Sequence, residues 1–157
     1  MQLLCILANP STGTGARTLA RVELAREILH CDSVVVENLF ALASSDVTEI
    51  SKLGAVSDGW LRAQKALKAH LLACDVVLLA YGVSAPSGPA RDHHSQQVGW
   101  LGDRLTQASL PTFMVGDGPR HPSRWQRWTA RQHPEWDFRE ALRRSLAPAP
   151  RTITARR

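Results

Sequence analysis

The 157-residue chain has no run of 18 consecutive apolar residues, no CxxC pair, no GxxxxGK[ST] phosphate loop and no basic stretch followed by a long apolar one near its start. The first absence argues against a membrane-spanning helix, the second against a zinc knuckle or redox pair. The third removes the usual nucleoside-triphosphate cradle, and the fourth removes an export signal. A cytoplasmic protein with no membrane partner is the expectation. Cysteine is scarce and odd in number: Cys5, Cys31 and Cys74 lie in or beside apolar segments. They read as buried thiols rather than a disulfide framework. His93 and His94 are adjacent and no third ligand has suitable spacing, so no metal and no cofactor are expected.

Acidic residues are sparse in the last quarter. Residues 1–118 carry 9 Lys+Arg against 11 Asp+Glu, whereas residues 119–157 carry 10 Arg against 3 acids. Arginine suits planar recognition of phosphate and stacking on bases, which makes nucleic acid a candidate partner. The alternative is a solvated helix followed by a disordered basic tail. The length and the 44% apolar content fit one domain with its own core. That domain is expected over residues 1–146, with 147–157 as a basic, disordered tail containing Pro148 and Pro150.

Four short aliphatic runs read as strands covered on both faces, because they are continuous rather than alternating: Leu3 to Leu7, Ser33 to Val36, Asp75 to Leu79 and Thr112 to Val115. Helical spacing separates them. Leu19, Val22, Ala25, Arg26, Ile28 and Leu29 mark one helix; Trp60, Ala63, Leu67, Leu71 and Cys74 mark a second, capped by Ser57 or Asp58. Val98, Leu101, Leu105 and Ala108 mark a third, and a last helix is expected over 135–146. Residues 83–95, with Pro86, Gly88 and Pro89, read as a loop. Strands alternating with helices imply right-handed crossovers. The expected fold class is therefore α/β, a three-layer α/β/α sandwich on a short, four-stranded, mostly parallel sheet.

Ligands of such sheets collect beyond the carboxyl ends of the strands. Strand one ends in Asn9-Pro10-Ser11, strand two in Glu37-Asn38-Leu39-Phe40, strand three in Tyr81-Gly82-Val83-Ser84 and strand four in Arg120-His121-Pro122-Ser123. Gly13 and Gly15 suggest a phosphate loop, but without a nearby lysine or a completed GxGxxG they read more simply as a flexible approach to the first helix. After Ser123 come Arg124, Trp125, Arg127 and Trp128, basic and aromatic at i, i+3 spacing. Two readings stand for Trp125: a wedge or stacking plate between bases, or a core side chain fastening the last helices to the sheet.

Taken together, "ILANPS" (6–11), "SVVVENLFAL" (33–42), "DVVLLAYGVSA" (75–85) and "FMVGDGPRHPS" (113–123) resemble, in order and content, the strand-end motifs of the uracil-DNA glycosylase superfamily. Over nearly its full length the chain is also similar to an uncharacterised bacterial and phage group, the domain of unknown function 1643 family, marked by NPST and NLF. The resemblance implies a uracil-DNA glycosylase-like fold. It further implies a protein that recognises a nucleobase, in DNA more than RNA or in a nucleotide, and hydrolyses the N-glycosidic bond of an unusual or modified base. On that reading Asn9 and His121 are catalytic: Asn9 positions water and His121 donates to the departing base. Asn38 reads the base edge, while Pro10, Ser11, Phe40, Tyr81, Gly82 and Ser123 complete the substrate site. Arg120, Arg124, Trp125 and Arg127 bind nucleic acid. The chain has Leu7 and Ser11 where the glycosylase branches flank the turn with glycine, and its first motif has no aspartate. Two alternatives therefore stay open, a non-catalytic nucleic-acid or modified-base binding module in phage defence or mobile-element biology, and an enzyme on free nucleosides or nucleotides.

Overall fold

The apolar run at the start of the chain becomes the middle of the sheet. In the computed structural model, which describes residues 1–155 and only the backbone of Val47, β1 (Gln2–Leu7) has Leu3, Leu4, Cys5 and Ile6 wholly buried. It pairs in parallel with β2 (Ser33–Asn38) on one edge, Leu3 opposite Val34 and Leu7 opposite Asn38. On the other edge it pairs in parallel with β3 (Val76–Leu79), Leu3 opposite Val76 and Ile6 opposite Leu79. β4 (Thr112–Val115) continues the parallel arrangement beside β3. Chain order reverses between β1 and β3, so the crevice beyond their carboxyl ends is the place where a ligand fits such a sheet.

Helices cover both faces because side chains of a strand alternate. Leu4 and Ile6 join Leu67, Leu71, Val98 and Leu101 in one core cluster, under α3 (Asp58–Ala73) and α4 (Pro89–Ala108). Leu3, Cys5 and Leu7 join Val22, Ala25, Trp125 and Leu142 in the other, under α1 (Ala16–Ile28), α5 (Pro122–Gln132) and α6 (Phe138–Ser145). A short α2 (Val47–Leu53) precedes α3. Cys5, Cys31 and Cys74 are free and buried. Among the described residues no helix is long and apolar enough to cross a membrane.

The sheet has five strands rather than four, in the order β2-β1-β3-β4-β5. β5 (Leu146–Pro148) runs antiparallel to β4, Phe113 opposite Pro148 and Met114 opposite Ala147. Its Ala147 and Pro148 belong to the segment expected to be a disordered tail. β4 would otherwise be an unpaired edge, and the Ala149 amide also donates to the Thr112 carbonyl at 2.8 Å. Pro148 is tolerated because an edge strand can spare a donor. Beyond it Ala149, Ile153 and Ala155 pack on the first core cluster, so the fold continues past residue 146. Arg156 and Arg157 lie outside the described residues.

Other expectations shift locally. Leu19 and Ala108 are exposed, leaving Val22 and Ala25 to anchor α1 and Val98, Leu101 and Leu105 to anchor α4. The last helix is shorter than expected and starts where Asp137 caps it, its carboxylate accepting from the Glu140 amide at 2.9 Å. Residues 89–95 are the first turns of α4 rather than loop: Gly88 at φ 61 turns the chain and Pro89 occupies the first helical turn, where a missing N–H costs nothing.

Gly59 lets α3 sit against the strand-two loop. A Cβ there would lie 2.2 Å from the Phe40 ring, and the Gly59 carbonyl accepts from the Ala41 amide at 3.0 Å. Gly59→Ala is expected to lower unfolding free energy by about 1–3 kcal/mol through overpacking, read as a reduced urea midpoint with an unchanged slope.

Candidate functional site

The strand ends expected to converge do so around a cleft of about 820 Å³. Ala8 and Asn9 enter it after β1, Leu39 and Phe40 after β2, Tyr81 and Gly82 after β3, and Arg120 and His121 after β4. Of the residues singled out from sequence, Asn9, Phe40, Tyr81, Gly82, Arg120, His121, Ser123, Arg124 and Arg127 line it.

Asn9 is held from one side. Its Nδ2 donates to the Ser44 hydroxyl at 2.7 Å and to the Ser44 and Pro10 carbonyls at 3.2 and 3.0 Å. Ser44 is buried and its hydroxyl reaches the Asp46 carbonyl at 3.4 Å, just ahead of α2. The amide nitrogen is thereby committed, and Oδ1, without a protein partner among the described residues, is the end of Asn9 left to accept a hydrogen bond.

His121 caps α5. Its Nδ1 accepts from the Ser123 amide at 3.2 Å and lies 2.9 Å from the Ser123 hydroxyl. An imidazole nitrogen that accepts from a backbone N–H carries no proton, so the neutral ring bears its hydrogen on Nε2. Burial, then the nearby Arg124 and Arg21 charges, lower the His121 pKa and keep the ring neutral.

α5 divides by helical spacing. Pro122, Trp125 and Thr129 are buried, while Arg124, Arg127, Trp128 and Arg131 line the cleft. Among the described residues the guanidiniums of Arg124, Arg127 and Arg131 have no carboxylate or hydrogen-bond partner. The arginines of α6 contrast with them: Arg139 pairs with Glu27 at 2.7 Å, and Arg143 and Arg144 share Glu140 at 2.6 and 2.8 Å. These two guanidiniums hold the Glu140 pKa down at about 2. Arg120 is also committed, ion-paired with Asp117 at 2.7 Å, donating to the Val115 carbonyl at 3.0 Å and lying 4.4 Å over the Trp128 ring. It braces the turn after β4 instead of presenting a free charge.

The floor is aromatic. Phe40 and Trp60 meet tilted, with 4.6 Å between centroids and 45° between planes, and His94 meets Trp60 and Tyr81 edge-on at 6.0 and 6.4 Å. Desolvation pushes the Tyr81 phenol up to about 12 and pulls His94 down to about 4, so both are neutral at pH 7.

Comparison with protein-family models, curated proteins and solved structures finds no match.

Four expected site residues stand elsewhere. Asn38 ends β2 opposite Leu7, its Oδ1 sealed and unpaired, and it does not line the cleft, because the chain turns so that Leu39 and Phe40 face inward instead. Pro10 and Ser11 lie beside the cleft rather than in its lining; the Ser11 hydroxyl accepts from the Gly13 amide at 3.1 Å, stiffening its own loop. Trp125 is 0% exposed, its Nε1 donating to the Arg120 carbonyl at 2.7 Å. It is a core side chain and no wedge, since an indole so enclosed cannot reach a base. Gly15 takes a left-handed conformation at φ 65 directly before α1 and needs no Cβ, in keeping with a helix approach.

Trp60, His94, Trp128 and Arg131 also line the cleft and were not expected there from the sequence. Trp128 and Arg131 follow from extending the α5 period past Arg127. His94 was legible once Gly88-Pro89 is taken as a helix start, which puts it one turn before the buried Gln97 and Val98. Among the described residues no cluster of three His, Cys, Asp or Glu is placed to hold a metal ion.

Two measurements check this description. Trp125→Ala should cost about 3–5 kcal/mol of stability, as for other buried tryptophans, in a urea titration. Because His94 protonates at about 4 when folded and at its ordinary value when unfolded, the unfolded chain binds more protons between those values. Stability should thus rise with pH across that window, and the depressed His121 pKa adds in the same direction. From pH 7 to pH 5 the urea-derived free energy should fall by about 2 kcal/mol on His94's account.

Proposed function

We propose that the cleft takes a nucleotide of a nucleic-acid strand, DNA ahead of RNA, and hydrolyses the N-glycosidic bond of an unusual or modified base. The observation that carries this is the meeting of three unpartnered arginines with an aromatic floor in one cavity. Guanidiniums at i, i+3 and i+7 of α5 form a row suited to consecutive phosphates, while the largely buried Phe40, Trp60 and Tyr81 give the cavity an apolar floor against which the edge of a base can rest. The resemblance of the strand-end motifs to the uracil-DNA glycosylase superfamily supports the same reading and the fold that goes with it.

Cleavage leaves the bonding pair on the base and positive charge on the sugar, to which water then adds, releasing its proton to solvent. Asn9 Oδ1, fixed by the amide's bonds to Ser44, accepts from the incoming water. His121 Nε2–H donates to the leaving base, and its neutrality matters because a donor already poised without counter-charge needs no reorganisation.

A second reading, a binding module without turnover, is favoured by one observation: Asn9 also ties the β1 loop to Ser44, a purely structural job. The two separate in one set of assays. Single-stranded oligonucleotides bearing uracil, hypoxanthine or methylated bases are incubated with the protein, and abasic sites are revealed by alkali. At least one substrate should yield them, and Asn9→Ala should slow the reaction on the order of 10²- to 10³-fold at unchanged affinity. Binding should weaken with salt at a log–log slope of about 2, roughly 0.7 for each of three phosphates, and Arg127→Ala should remove about one such increment. Salt-independent affinity would refute nucleic acid as the partner. Tight binding with no abasic product from any substrate would leave the binding module.

A further inference from the structure

His94 is 9% exposed and stands in the floor of the cleft, yet the catalytic steps do not use it. Its Nδ1 is fully sealed and has no hydrogen-bond partner. Among the described residues the ring makes no hydrogen bond at all; its neighbours are the edges and faces of Trp60 and Tyr81. A side chain serving only to fill this space would be apolar, since a sealed nitrogen without a partner is a cost that a phenyl or leucyl group avoids. The unpaired nitrogen therefore asks for a reason outside packing.

The two ring nitrogens differ. Nε2 is not sealed, and because His94 lines the cleft, Nε2 is the atom through which the ring meets a ligand. Leaving an N–H sealed without an acceptor is worse than leaving a lone pair so, as the rarity of orphaned buried N–H groups indicates. The neutral ring accordingly keeps its hydrogen on Nε2. Beside it the Tyr81 hydroxyl also lacks a protein partner among the described residues, and both groups line the same floor.

We infer that the Nε2–H of His94 is a recognition donor in the floor of the cleft, selecting a heterocycle that presents a carbonyl oxygen there over one that presents an amino group. This rests on the reading of the cleft as a base site. A carbonyl oxygen accepts from Nε2–H and keeps that donor satisfied once the seated ligand has displaced water from it. An exocyclic amino group sets donor against donor in a dry site, and such unpaired polar groups are what discriminates between near-isosteric ligands. Burial, by holding the ring neutral, keeps it a single donor instead of a cation that would attract any anion.

The test uses the full chain and fluorescein-labelled single-stranded oligonucleotides, identical except for one central position carrying hypoxanthine, adenine, uracil, cytosine or an abasic spacer. Anisotropy titrations read the affinities. Each oxo base should bind about tenfold tighter than its amino counterpart, the worth of one net hydrogen bond gained rather than lost. His94→Phe keeps a ring of similar shape without a donor and should abolish the preference while leaving the abasic oligonucleotide's affinity unchanged. His94→Gln, which restores an N–H, should recover part of it, and His94→Leu, also without a donor, serves in place of the phenylalanine variant if that chain fails to fold. Long-range ¹H–¹⁵N spectra of the free protein should give His94 as the Nε2–H tautomer. Equal affinity for oxo and amino bases in the wild type, a preference that survives His94→Phe, or an Nδ1–H tautomer would each overturn the inference. If the abasic oligonucleotide fails to bind as well, and Arg127→Ala changes nothing, the base-site reading has failed first.

Discussion

The pairing of β1 on both edges is the constraint on which the remainder of the structure depends. Leu3 through Ile6 are wholly enclosed, so β1 cannot slip by one residue without exchanging the side chains of its two core clusters. With its register held against Val34 to Asn38 and against Val76 to Leu79, four parallel strands point their carboxyl ends at one edge. Asn9, Phe40, Tyr81 and His121, up to 112 residues apart in the chain, face one cavity only because of that common direction.

On this frame the two C-terminal helices carry similar charge and use it differently. α6 spends its arginines internally, on Glu27 and Glu140. α5 has no acidic residue, and its rigid placement comes from contacts that leave its own arginines out: Trp125 in the core, the Trp125 indole on the Arg120 carbonyl, and Arg21 reaching over from α1 to the Pro122 carbonyl at 2.9 Å. A helix so anchored can hold Arg124, Arg127 and Arg131 in the cleft without neutralising them. His121 joins the two functions, since the same Nδ1 that caps α5 also leaves Nε2 as the donor beside those arginines.

Much of this was legible in the sequence, for reasons that differ by element. The continuous aliphatic runs could only be strands covered on both faces, and the order of their ends carried the cleft. Asn38 misled because a polar residue at a strand end looks like a reader of ligands, whereas the side chain one step further, Leu39, and then Phe40 take the inward direction. Trp125 and Trp128 could not be told apart by composition; the helical phase set by buried Pro122 and Thr129 separates them. The C-terminal segment was hidden by its prolines and arginines. Its apolar residues are few but sufficient, Ile153 packing so closely on Gly102 that a Cβ at that glycine would meet the Ile153 carbonyl oxygen at 2.9 Å. His94 escaped because Gly88 and Pro89 look like loop when they in fact begin a 20-residue helix.

The most direct test of the central claim, that one cavity joins the arginine face of α5 to the aromatic floor for a nucleic-acid strand, is amide chemical-shift mapping with a short single-stranded oligonucleotide. The account predicts perturbations at Asn9, Gly82, Ser123, Arg124, Arg127 and Trp128 together, in one saturable process. Shifts confined to the outer face of α3 around Lys65 and Lys68, or none at saturating oligonucleotide, would contradict it.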